Sequence, residues 1–76
     1  MNLNLEEAKK WYIDAVFNSL ARNYQLSHDI SNKLMEAYRL YRLLELYPAE
    51  QLHYDVDETA DEIVERGYQL GLIAKA

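Results

Sequence analysis

From Met1 to Tyr47 the chain contains neither glycine nor proline, and over all 76 residues it has only Pro48, Gly67 and Gly71. Tracts without breakers that are rich in Leu, Ala, Glu, Lys and Arg favour helix and leave few places for tight turns. A chain this short can build one modest core, so a single domain over residues 1–76 is expected. Domains of this size are secured by disulfides, a metal, self-association or well-matched helix packing. Cysteine is absent, which removes disulfides and thiolate zinc sites, and His28 and His53 stand alone in the sequence. Helix packing and self-association remain.

The spacing predicts three helices. Asn4 and Glu7 have the N-cap to N3 separation of a capping box, with Asn in place of the usual Ser or Thr, and open a helix over about 5–24. At about 100° per residue, Leu5, Tyr12, Ile13, Val16, Phe17, Leu20 and Tyr24 share one stripe, while Trp11 falls on another face with Ala8 and Ala15. Ser27 is a suitable N-cap for a second helix over about 28–47, whose stripe is Ile30, Leu34, Ala37, Tyr38, Leu40, Tyr41 and Leu44. Met35, Leu43, Leu46 and Tyr47 project away from that stripe, and Pro48 closes the element. Two helices of similar length joined by few residues imply an antiparallel hairpin.

Residues 48–54 read as a loop with one short turn at Pro48–Gln51. Asp55 then caps a third helix over about 56–70, with Val56, Ala60, Ile63, Val64, Gly67 and Leu70 as its apolar stripe. Gly71 suits the residue after the helix end, with Leu72 and Ile73 folding back on the core. Gly67 lies on the apolar stripe, so either another helix approaches closely there or the third helix ends early. The expected fold is an all-α three-helix bundle: a hairpin of 5–24 and 28–47 with an acidic third helix packed across it.

Charge is concentrated in that last part. Residues 1–26 and 27–47 each balance three acids with three bases, whereas residues 48–76 hold seven acids against Arg66 and Lys75, so the net charge of −5 resides there. Contacts to phosphate backbones need Lys or Arg, which argues against direct nucleic-acid binding, as does a third helix presenting Asp57, Asp61 and Glu65. No apolar run approaches the roughly 18–20 residues needed to span a bilayer. The start of the chain has no basic stretch followed by an apolar one, so no signal peptide and a cytoplasmic location are expected.

Catalytic and metal chemistry find little footing. An EF-hand loop beginning at Asp55 would need glycine where Ala60 stands and glutamate where Arg66 stands. There is no glycine-rich phosphate loop, no Ser, His and Asp set in context, and no spacing that desolvates a carboxylate pair. Neither cofactor nor metal is expected. Leu26-Ser27 followed by Ser31-Asn32-Lys33-Leu34-Met35-Glu36-Ala37-Tyr38 resembles the sporulation-control aspartyl-phosphate phosphatases, small helical hairpins bearing a Ser-Gln-Glu-Leu-Asp motif. The resemblance covers about half the chain. Ser31 and Leu34 match the motif, Asn32 and Lys33 depart from it, Met35 occupies the aspartate position on which the family's activity depends, and the acidic third helix has no counterpart.

The reading is a non-catalytic cytoplasmic interaction module that regulates or inhibits a protein partner with a basic surface, or that pairs with a second copy. Its expected contact residues are Trp11, Met35, Leu43 and Leu46, the residue types and positions left off the core stripes, and the acidic row Asp57, Asp61 and Glu65. The alternatives are an acidic mimic of nucleic acid that occupies a DNA-binding protein, and a phosphatase-like hairpin.

Overall fold

The computed structural model describes residues 4–74, and all regular structure among them is helical. Met1–Leu3, the first residues of the segment read as lacking a signal peptide, and Lys75–Ala76 lie outside the described residues. Helix α1 spans Leu5–Tyr24. Its cap is reciprocal: the Glu7 amide donates to Asn4 Oδ1 at 2.8 Å and Asn4 Nδ2 donates to Glu7 Oε1 at 3.1 Å. Gln25 ends it in a left-handed conformation (φ 55°).

The second half of the expected hairpin is not one helix. It divides into α2, His28–Tyr38, and α3, Leu40–Leu46, around Arg39 at φ 66°. The cause lies in the burial pattern. Leu34, Met35, Leu40 and Leu44 are all 2% exposed or less. In a straight helix Met35 and Leu44, nine residues apart, would point in directions about 180° apart. One core can receive both only if the chain turns between them. Tyr41 then reaches back across the break, its hydroxyl donating to Asn32 Oδ1 at 2.9 Å.

Pro48 supplies the first residue of α4, Pro48–His53, where its missing N–H is not needed. This is the segment expected as a loop with one turn. Asp55 caps α5, Val56–Gln69, by accepting from the Glu58 amide at 3.1 Å. The helix ends as expected at Gly71 (φ 73°), with the Leu72 amide bonded to Gly67 O at 2.9 Å, the reach of a Schellman end. Ile73 folds back onto the core, whereas Leu72 stays 46% exposed. The expected three long helices are thus five among the described residues.

Helix α5 packs against both α1 and α2, which also touch one another, while α4 bridges α3 and α1. The core between them is Tyr12, Val16 and Leu20 from α1, Leu34 and Met35 from α2, Leu40 and Leu44 from α3, and Ala60, Ile63 and Val64 from α5. Each large aliphatic member contributes about 1.5–3 kcal/mol through burial. At one end of the core the Tyr12 hydroxyl meets Tyr54 O at 3.1 Å, Thr59 Oγ1 at 2.7 Å and Gln51 Nε2 at 3.5 Å. A phenol has one donor and two acceptor sites, so donation to the carbonyl leaves it able to accept from both others. Gly67 marks the tightest approach: a Cβ there would lie 2.6 Å from Leu34 Cδ2 and 3.2 Å from Ile73 Cγ1. Of the two accounts of Gly67 offered above, close approach is the one observed.

Candidate interaction surface

The acidic helix is held from both edges. Along α5 the apolar positions Ala60, Ile63, Val64 and Gly67 face the core, and the carboxylates beside them meet hydroxyls of neighbouring helices. Ser19 Oγ, fully buried on α1, donates to Asp57 Oδ1 at 2.6 Å. The Tyr24 hydroxyl donates to Asp61 Oδ1, and on the opposite edge the Tyr38 hydroxyl donates to Glu62 Oε2 at 2.7 Å. Two of the three members of the expected row, Asp57 and Asp61, therefore flank the α1–α5 seam instead of facing solvent alone.

The phenols register these contacts. The hydrogen bond to Asp61, aided by burial and by the charges of Asp61 and Glu65, pushes Tyr24 from 10.0 up to about 12. Burial first, then the hydrogen bond to Glu62, does the same for Tyr38, which also rises to about 12. Burial and the charge of Glu36 raise Tyr41. In each case the neutral phenol is the form the fold favours.

The other expected contact residues scatter. Trp11 is 61% exposed on α1, on the face the angular reading gave it. Leu46 is 54% exposed at the end of α3, Leu43 is half-buried, and Glu65 is exposed on α5. Met35 is a correction: it is fully buried, a core side chain and not a contact residue, because the break at Arg39 turns it inward. Ser31 and Met35, two of the positions compared with the phosphatase motif, both face the interior, and Ser31 Oγ is buried with no hydrogen-bond partner.

Sequence reasoning gives no place to Tyr54, after α4, whereas Tyr47, before it, is among the residues that project off the second stripe. Tyr47 is 53% and Tyr54 60% exposed. An open depression of about 430 Å³ is lined by Ala49, Glu50, His53 and Tyr54. A helix of six residues turns less than twice, so it buries Gln51 and part of Leu52 while its other sides stay in water. The sequence signal for Tyr54 was its bulk shortly after the turn at Pro48–Gln51, but a loop assignment gives such a residue no face.

A second cleft, of about 340 Å³, lies between α1 and α3. It combines Lys9, Lys10, Glu6 and Glu45 with Ile13, Tyr41 and Leu44, and Lys9 is already paired with Glu6 at 3.1 Å. His28 stacks on Phe17 with centroids 4.4 Å apart, which docks the first turn of α2 on α1. Among the described residues no three His, Cys, Asp or Glu side chains gather to hold a metal ion, and no helix is long and apolar enough to cross a membrane. Comparison with protein-family models, with curated proteins and with solved structures yields no match.

Proposed function

We propose that the chain is a non-catalytic protein-interaction module that works in the cytoplasm and regulates or inhibits a protein partner. The observation that carries this reading is the surface exposure of Trp11, Leu46, Tyr47 and Tyr54, all more than half exposed around a core that is closed without them. Aromatic side chains are enriched where interfaces are centred, and truncating such an anchor costs about 2 kcal/mol or more of binding. The cysteine-free composition fits a reducing compartment. A mimic of nucleic-acid charge is less favoured, because Asp57, Asp61 and Glu62 already serve hydroxyls of α1 and α2.

Two experiments test the proposal. A photo-reactive phenylalanine analogue placed at position 11, 46 or 54 in the native host should form a covalent adduct with a discrete protein from at least one position. Absence of any adduct from all three would overturn it. Trp11→Ala should change folding stability by no more than about 0.5 kcal/mol, as expected for exposed sites. If the adduct forms at position 11, the same substitution should weaken the complex about tenfold or more.

A further inference from the structure

The cleft between α1 and α3 sets charged side-chain ends around an apolar floor. It holds about 340 Å³, at the small end of the range of about 300–1,000 Å³ typical of ligand sites. Leu44 is buried and Ile13 half-buried, and Tyr41 completes the apolar part. Tyr41 is tied in place, because its hydroxyl donates to Asn32 across the bend. The charges lining the cleft are unevenly matched. Glu6 pairs with Lys9 at 3.1 Å, and Glu45 stands 3.9 Å from Arg42. Lys10 has no ion pair among the described residues. The Lys9 side chain is only 17% exposed, while that of its partner Glu6 is 82% exposed. An ammonium carries three donors, so Lys9 can serve Glu6 and a second anion together.

We propose that this cleft binds a small organic acid, with its carboxylate between Lys9 and Lys10 and its apolar body against Ile13, Tyr41 and Leu44. The lining selects that class of ligand. Both acids of the cleft already have a cation beside them, so the charge left to match is positive. An inorganic anion would leave the apolar floor in water, and an uncharged apolar molecule would leave the ammonium groups unmatched. The chain's net charge of −5 comes from acids of residues 48–76, none of which lines the cleft. An occupant would also act on the fold. Helix α3 packs chiefly against α2 and α4, and a ligand touching Ile13 on one side and Tyr41 and Leu44 on the other ties it to α1. The site is separate from the protein partner proposed above, and either can fail alone.

The test is an amide NMR titration of the whole chain with phenylbutyrate, compared with phenylbutanol, phenylbutylamine and acetate. Phenylbutyrate should shift Lys10, Ile13, Tyr41 and Leu44 along a saturable curve. It should also raise the melting temperature, as a ligand of the folded state does. The alcohol and the amine should bind about tenfold more weakly or worse, since hydrogen bonds between charged groups are lost. Acetate, which lacks the apolar body, should give no saturable shift. Lys10 is exposed, so Lys10→Gln should keep the melting temperature of the free protein while weakening phenylbutyrate about fivefold or more. Glu6→Gln removes the anion that competes for Lys9 and should strengthen binding.

Equal affinity for the acid and the alcohol, or tighter binding of the amine, would overturn the proposal. So would shifts that never saturate, shifts confined to residues away from the cleft, or an affinity unchanged in Lys10→Gln. Tighter binding of free phenylalanine than of phenylbutyrate would also overturn it, because Glu6 or Glu45 would then take part and the ligand would be a zwitterion. The photo-adducts at positions 11, 46 and 54 report on the protein partner alone, so the two readings are judged by different measurements.

Discussion

Gly67 and Ser31 are two interior positions with opposite tolerances. At Gly67 any side chain must displace Leu34, which is itself 1% exposed. Alanine there gains about 1 kcal/mol of helix propensity and loses a similar amount to that contact, so its net effect should be small. Gly67→Leu has no such offset and should lose about 1–3 kcal/mol in chemical denaturation. A neutral or stabilising leucine would mean that α2 and α5 do not approach closely. Ser31 is the reverse case: its hydroxyl is buried and unbonded, an arrangement that costs about 1–3 kcal/mol in desolvation. Ser31→Ala removes the orphaned group and improves helix propensity, so the melting temperature should rise. A fall would show that the hydroxyl has a partner, such as a buried water. Neither effect is visible from residue type alone, because Gly67 was ambiguous on its stripe and Ser31 looked like an ordinary polar residue near a helix start.

At the scale of elements, the caps were legible and the bend was not. Asn4, Ser27, Asp55, Pro48 and Gly71 each act where their chemistry places them, because capping is decided by neighbours three or four residues away. Arg39 carries no such local mark, being a good helix former placed in a left-handed conformation by packing on either side. The clue was geometric, in that Met35 and Leu44 are both bulky and point oppositely in a straight helix. Reading Met35 as surface instead of reading a turn into the chain produced the two main errors together. Arg39→Gly should be neutral or stabilising, whereas Arg39→Val should lose about 1–2 kcal/mol, since a β-branched residue resists positive φ.

The seams of α5 supply two more measurements. Asp57→Ala and Asp61→Ala should each lose about 0.5–1 kcal/mol through their hydroxyl partners, while Glu58→Gln, on the solvent side of the first turn, should lose only the few tenths of a kcal/mol that its charge gains from the helix dipole. Tyr24 and Tyr38 keep their protons in the fold up to about 12, while the unfolded chain releases them near 10. The folded state then binds more protons across that window, so their stabilisation is complete below about 10 and is lost as pH rises to about 12. The double substitution Tyr24→Phe/Tyr38→Phe should flatten the alkaline limb of the stability curve. An unchanged limb would mean that the two phenols are not engaged by Asp61 and Glu62.

Among the described residues of the whole molecule, ten buried apolar side chains form the core without a disulfide, and the bulky exposed ones are spread over α1, α3, both sides of α4 and the end of α5. The concentration of acids in the last third was plain from the sequence, but the engagement of Asp57, Asp61 and Glu62 by hydroxyls of α1 and α2 was not. That engagement depends on which helix lies alongside, and only packing decides it. The exposure of Trp11 also has an optical consequence. As the single tryptophan of the chain and 61% exposed, it reports on the outside of the molecule. Its emission should lie close to that of the unfolded protein, so a denaturation followed at tryptophan wavelengths should show little amplitude while circular dichroism shows a full transition. Conversely, a blue shift on adding a partner would mark water leaving the α1 face, and emission already blue-shifted in the isolated protein would mean that this face is covered. A partner seated away from α1 should leave the colour unchanged, which makes this one indole an internal control for where binding occurs.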